Sequence, residues 1–358
     1  MSFIAGSPSS SVIVSYASLT DVGLHRAHNE DALVCQLLPA PADAPVGEAD
    51  GARVDDLSDH ALLLAVCDGM GGSEGGEVAS ALATTALGRG LLAGPLPASE
   101  PELAAHLVAT VEGAHELVRD TAWRRRLPGM GTTATAVLIR GDRALVGQVG
   151  DSRAYLWREG RLAQLTRDQS LAQQMIELGQ LRPEDRRTFE YGNIILQALG
   201  SSSSLDVDLT ATSLRRGDLL LVCSDGLWGE IDDDRIAALL ARDADPAALC
   251  RALVAAAIEA GGSDNVSCIV CRLDGDGLPR PAPEDGQPGY LKLKFPDVVP
   301  SPAPTSTPVD TAPTPLAPRA ARDLGPVELP MAPPPFAGAA LLLAAGAALA
   351  AMLWRCVG

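Results

Sequence analysis

Lysine is almost missing from this chain. Of its 28 basic residues 26 are arginine, and the only lysines are Lys292 and Lys294. A P-loop needs a lysine for phosphate, and a Schiff-base enzyme needs an amine nucleophile, so residues 1–291 supply neither. Aromatic residues make up only 3 %, so aliphatic side chains and alanine must fill the core. Histidine is as scarce, with His25, His28, His60, His106 and His115 forming the whole set. A histidine-rich zinc site is therefore not expected. The seven cysteines are odd in number. Cys67, Cys223 and Cys268 sit within apolar strand-like runs, which reads as buried reduced thiols and not as a disulfide framework. Cys268 and Cys271 share one apparent strand, where side chains three apart face opposite ways, so they do not form a redox or zinc pair. No cysteine has an arginine six positions later, so the phosphate-cradling loop of cysteine-nucleophile hydrolases is absent. Positive charge is short overall, with a formal net charge of −17, which argues against a nucleic-acid partner. The first twenty residues place no basic side chain ahead of an apolar run, so no secretory signal is expected.

What is present falls into three parts. The length of 358 residues allows two domains, or one large domain and a tail. Residues 11–273 read as one domain. Short apolar runs bounded by turn residues mark strands at 12–15, 32–37, 61–67, 133–140, 144–150, 153–158, 162–165, 205–212, 218–223 and 265–273. Helical periodicity covers 76–92, 100–125, 169–178, 232–242 and 246–260, the second opened by Ser99 and Pro101. The stretch 39–60, rich in Pro, Asp and Gly, is expected as an exposed loop. Strands come in runs and so do helices, which predicts an α+β fold with antiparallel sheets and segregated helices.

Composition changes near residue 278. Of the 57 residues from Pro279 to Pro335, 17 are proline, so 279–335 is expected as a disordered, extended linker. Residues 336–354 carry no charge. As a helix they would span about 28 Å, near the thickness of a bilayer's hydrocarbon core. The expectation is a C-terminal transmembrane helix, a single-pass anchor with the larger N-terminal part in the cytoplasm.

Chemistry concentrates where apolar strands meet Asp and Gly. Leu62 to Cys67 runs into Asp68-Gly69-Met70-Gly71-Gly72. Leu219 to Ser224 runs into Asp225-Gly226. Gly261-Gly262-Ser263-Asp264-Asn265 leads into Val266 to Val270. A buried strand delivers its terminal residue to a fixed point, and glycine lets backbone come close. Carboxylates gathered at one place repel unless a cation lies between them, and hard oxygen ligands suit Mg2+ or Mn2+. Arg26, followed by Asn29-Glu30-Asp31, adds a guanidinium able to grip a phosphoryl group bidentately. Arg124-Arg125-Arg126 reads either as a solvated helix end or as a contact for an acidic or phosphorylated partner.

In order, the motifs are Thr20-Asp21-x-Gly23-x-x-Arg26-x-x-Asn29-Glu30-Asp31, Asp68-Gly69-Met70-Gly71-Gly72, Gly129-Met130-Gly131-Thr132-Thr133, Gly150-Asp151-Ser152-Arg153, Ser224-Asp225-Gly226-Leu227 and Asp264-Asn265. This order resembles the PPM-type metal-dependent serine/threonine protein phosphatases, the protein phosphatase 2C family, in its bacterial form. The resemblance covers residues 11–273. It implies an antiparallel β-sandwich flanked by helices in α-β-β-α layers, with two Mn2+ or Mg2+ ions at one edge. It further implies that Asp68 bridges both ions and that the Gly69 carbonyl binds one. Asp225 and Asp264 bind the other, and Asp151 with Asp225 holds a weaker third. Glu30 and Asp31 act through water, Asn265 is an orienting neighbour, and Arg26 binds the substrate phosphate.

Three features depart from or qualify the pattern. Met70 stands where some members have a histidine proposed as general acid. Gln169 stands where histidine is common, and Gln197 where arginine is common. Residues 173–191 resemble the flap of bacterial members. The implied partners are phosphorylated Ser/Thr proteins and a cognate Ser/Thr kinase that the enzyme opposes. The competing reading is a non-catalytic phosphoprotein-binding module of the same fold, against which the intact Arg26, Asp68, Asp225 and Asp264 count. A third reading keeps the enzyme but gives it one dedicated regulator as its target.

Overall fold

The computed structural model describes residues 11–39, 53–71, 75–201, 205–282, 285 and 288–293. In chain order the elements are β1 (Ile13–Asp21), β2 (Asp31–Leu38), β3 (Arg53–Asp56), β4 (Ala61–Met70), α1 (Gly75–Leu92) and α2 (Glu100–Arg125). They continue with β5 (Gly131–Thr132), β6 (Ala134–Arg140), β7 (Arg143–Val149), β8 (Arg153–Arg158), β9 (Arg161–Gln164) and α3 (Leu171–Glu177). A 3-10 turn at Pro183–Thr188 precedes β10 (Asp208–Ser213), β11 (Leu219–Cys223), α4 (Asp225–Trp228), α5 (Asp233–Leu240), α6 (Pro246–Ala260) and β12 (Val266–Asp274).

Two antiparallel sheets form, in the orders β3-β1-β12-β11-β8-β9 and β10-β7-β6-β4-β2, with β5 paired to the end of β4. The run Ala61–Cys67 is apolar without alternation because both of its faces are covered. Leu62, Leu64 and Val66 enter the core between the sheets. Ala61, Leu63, Ala65 and Cys67 pack under α1 and α2. On the other sheet, Ile269, Cys271 and Leu273 of β12 face the same inter-sheet core, and Val266, Cys268 and Val270 pack under α5 and α6. The layers are therefore α-β-β-α. Cys268 and Cys271 face opposite layers, and both are free and buried.

Local signals explain the helix ends. The Ser99 hydroxyl accepts the Glu102 N–H, and proline follows in the first turn of α2, a capping arrangement that supplies a partner to an otherwise orphaned donor. Arg126 ends that helix in the left-handed region at φ 58°. Arg124, Arg125 and Arg126 are all exposed, and Arg124 pairs with Asp120 at 2.8 Å.

Two expectations need correction. The stretch 39–60 is not all loop, because Arg53–Asp56 pairs with β1 as an edge strand. Its largely exposed side chains, with Val54 the one apolar residue among Arg53, Asp55 and Asp56, carry no apolar alternation, so pairing to β1 makes it a strand. The linker expected from residue 279 does not begin there. Arg216 N–H reaches the Pro279 carbonyl at 2.9 Å, Arg215 grips Asp285 at 2.6 and 2.9 Å, and Lys292 bridges to Thr210 of β10. The expected transmembrane helix at 336–354 lies outside the described residues. Among the described residues no helix is long and apolar enough to cross a membrane.

Candidate metal centre

Antiparallel pairing explains why distant carboxylates meet. Asp31 opens β2 opposite Asp68, near the end of β4. Cys223, last in β11, sits opposite both Cys268 of β12 and Arg153 at the start of β8. The residues next to these ends, Asp225, Asp264 and Asp151, therefore emerge at one edge of the sandwich. Arg26, Glu30, Asp68, Gly69, Met70, Asp151, Asp225 and Asp264 line one hollow of about 430 Å³ there. Asp31 and Asn265 stand behind it. A larger hollow of about 610 Å³, between His60 and the start of α2, gathers none of the expected residues.

The backbone around the hollow is close-packed. A Cβ on Gly69 would lie 2.1 Å from the Gly76 carbonyl oxygen, and one on Gly226 would lie 2.0 Å from that of Asn265. Glycine at these two corners lets neighbouring segments touch. Asp68 is held from behind by Thr133, whose hydroxyl accepts the Asp68 N–H at 2.9 Å and whose N–H donates to the Asp68 carbonyl at 2.8 Å. Asn265 accepts the Glu30 N–H at 2.8 Å and donates to the carbonyls of Val22 and His28. It thus ties the Arg26–Glu30 loop to β12. Arg26 donates to Asp264 at 2.6 Å.

The carboxylates strain against one another. Burial, then repulsion from Asp31, Asp225 and Asp151, pushes Asp68 well above the ordinary carboxylate range. Burial and the Asp225 charge do the same to Asp151, and burial with the Asp264 charge raises Asp225. Burial drives Asp31 up to about 7, although Ser267 and Ser224 hydrogen bonds work against it. One oxygen each of Asp31 and Asp225 is buried with no hydrogen-bond partner. Among the described residues no three such groups already surround one point at ligand distance. The side chains lean on each other instead, Asp68 within hydrogen-bond reach of Asp225. Crowded acids with orphaned oxygens, acceptors only when ionised, are the donor set a hard divalent cation satisfies.

Sequence reasoning missed a second layer. Trp228 donates its indole N–H to the Asp151 carbonyl at 3.1 Å, and the Arg153 guanidinium lies 3.7 Å from its ring centroid. Arg153 grips the buried Asp168 at 2.9 and 2.7 Å, and Arg186 of the 3-10 turn reaches the same carboxylate. Arg187 donates to the carbonyls of Trp228 and Glu230. The segment 186–193 thereby forms one wall of a groove of about 590 Å³ that opens on Asp151, Asp225 and Asp264. Trp228 directly follows the Asp225-Gly226-Leu227 motif, but nothing in its spacing marks it as a platform.

Comparison with known proteins agrees with this geometry. Residues 48–255 match the family described as protein phosphatase 2C. The serine/threonine protein phosphatase PstP of Mycobacterium tuberculosis is 35 % identical over 262 residues, 72 % of this chain and 45 % of that protein. The chain thus spans about half the length of that relative. The protein phosphatase PhpP of Streptococcus pneumoniae is 33 % identical over 72 % of this chain and 96 % of its own length. A crystal structure of PstP/Ppp from Mycobacterium tuberculosis superposes with a TM-score of 0.62 at 34 % identity, over 73 % of this chain and 99 % of that one. The PstP catalytic domain in complex with two manganese ions gives 0.60 at 33 % identity, over 74 % and 99 %. With its motifs, its layered sandwich and its acidic edge all in agreement, the chain belongs to the protein phosphatase 2C family of serine/threonine protein phosphatases.

Proposed function

We propose that this chain hydrolyses phosphoserine and phosphothreonine on proteins, with two Mn2+ or Mg2+ ions per site. The observation behind this reading is the hollow itself. Asp68, Asp151, Asp225, Asp264 and Glu30 converge on it, with Arg26 as the cation beside them. Asp68, the Gly69 carbonyl, Asp225 and Asp264 would hold the two ions, and Asp151 with Asp225 a weaker third. Glu30 and Asp31 would act through water. Divalent cations so held supply positive charge and an acidified water at neutral pH.

The remaining work belongs to the protein. Arg26 can present two N–H groups to the phosphoryl oxygens as charge develops on them. Thr133 keeps the Asp68 backbone from moving. No side-chain nucleophile is needed, which agrees with the six described cysteines all being buried. Met70 cannot donate a proton, and we assign protonation of the leaving seryl or threonyl oxygen to water.

The decisive measurement is phosphate release from a phosphothreonine peptide with Mn2+, with Mg2+ and with chelator, beside Asp225→Ala. Metal-dependent turnover lost in the variant supports the reading. Folded protein without turnover under any metal overturns it in favour of a binding module. We further read the chain as membrane-tethered, with the phosphatase domain cytoplasmic and opposing a Ser/Thr kinase. The support is the charge-free 336–354 segment after a proline-rich stretch. Cell fractionation of the full chain against one ending at Val299 tests this: a shortened form that still pellets with membrane removes the tether.

A further inference from the structure

The two lysines of this chain lie where a linker was expected, yet Lys292 is part of the domain. Its ammonium donates to Asp206 at 3.0 Å and to Asp208 at 2.5 Å. Tyr290 donates its hydroxyl to the other oxygen of Asp208 at 2.8 Å, and Leu293 N–H reaches the Leu209 carbonyl at 2.8 Å. Residues 290–293 therefore strap the open edge of β10.

Both aspartates lead back to one turn. The Asp206 carbonyl accepts the side-chain amides of Gln169 and Gln197 at 3.3 and 3.4 Å. Gln169 in turn accepts the Gly150 N–H on its side-chain oxygen at 2.8 Å and returns its own N–H to the Gly150 carbonyl at 2.9 Å. Asp208 stands opposite Gln148 in the ladder, and the Gln148 amide donates to the carbonyls of Gly150 and Ser152. Gly150, at φ +98°, is already wedged on its far side, since a Cβ there would lie 2.6 Å from Thr133. Asp151 sits between the two residues so held.

We propose that Lys292 is a positioning residue for Asp151, acting through Asp206 with Gln169 and through Asp208 with Gln148. The strap holds the outer side of the Gly150–Ser152 turn as Thr133 holds the inner side. This rests on the proposed role of Asp151 as ligand of the weakest-held cation. Partners that orient a ligand characteristically change metal affinity by about 10- to 100-fold.

The test is Mn2+ binding to the full chain, followed by calorimetry and by manganese electron paramagnetic resonance, with turnover of an aryl phosphate in parallel. Asp151→Asn should abolish the weakest binding step. Lys292→Met should weaken that same step about 10-fold, leave the tighter steps in place, and raise the Mn2+ needed for half-maximal turnover. Lys292→Arg should restore it. If Lys292→Met does not fold, Tyr290→Phe, which keeps both ion pairs, should give the same shift at smaller size. A Lys292→Met protein with lower melting temperature but unchanged Mn2+ steps would overturn the inference and leave a merely structural strap. Failure of the unaltered protein to bind Mn2+ at all would instead overturn the proposed function.

Discussion

Arg26 and Asp264 form one ion pair, Nη2 to Oδ2 at 2.6 Å, with 49 % and 29 % of their side chains exposed. The residue proposed for phosphate thus rests on a residue proposed for a cation, and it does so in water. Such a pair contributes little to folding, about 0–1 kcal/mol.

Arg26→Ala should therefore leave the melting curve almost unchanged but cut kcat/KM for a phosphopeptide. Loss of hydrogen bonds to a charged group corresponds to about 1.5–3 kcal/mol, or about 10- to 100-fold. Arg26→Lys should recover only part of it, because a point charge cannot form the two-pronged contact. Steady-state kinetics with a thermal melt distinguishes this from a folding defect.

Stability of the metal-free protein should fall as pH rises from about 4 to about 7. Asp31 is raised to about 7 by burial, against an unfolded value of about 3.9. In that window the folded state binds more protons than the unfolded one, so unfolding becomes easier with each step up in pH. Its contribution is fully present below the unfolded value and gone above about 7. Mn2+ competes with those protons, so its stabilising effect should be larger at pH 8 than at pH 5. Melts across pH with and without Mn2+ check this; a metal-free protein most stable at pH 8 would contradict it.

Asp168→Asn and Arg186→Gln should differ sharply. The Asp168 side chain is fully buried between Arg153 and Arg186. Neutralising it leaves buried positive charge uncompensated, a loss of about 3–5 kcal/mol. Removing Arg186 leaves Asp168 still gripped by Arg153, so the loss should be about 1 kcal/mol. The 186–193 wall would then be freer, and KM for a peptide should rise while turnover of an aryl phosphate stays the same. Chemical denaturation and the two substrates together test the pair.

Gly226→Ala should destabilise by about 3 kcal/mol or more, because its Cβ would sit 2.0 Å from the Asn265 carbonyl oxygen. Either the 225–226 backbone or that of Asn265, each next to a carboxylate of the site, must then shift. Cation binding should suffer beyond what the stability loss explains, which calorimetry on the folded fraction would detect.

Much of the site was legible in the linear chain because each part is local. An apolar run such as Leu62–Cys67 declares a covered strand, and the Asp-Gly that follows declares a turn at its end. The reading of the cysteines as buried thiols, made from their place in apolar runs, matches the six described ones, which are free and buried. The motif order pointed to the family, and the carboxylates it picked out line one hollow.

Tertiary structure alone decided what depends on pairing between distant residues. Which strand ends share an edge follows from register, as between Asp31 and Asp68. Arg53–Asp56 is a strand only because β1 offers it an open edge. Trp228 becomes a platform only when Arg153 and the Asp151 carbonyl arrive beside it. Lys292 reads as part of a proline-rich tail, yet it closes on aspartates 84 and 86 positions earlier. Periodicity records which face of an element is buried; a salt link between residues far apart in sequence leaves no periodic trace, and only the folded chain brings its two ends together.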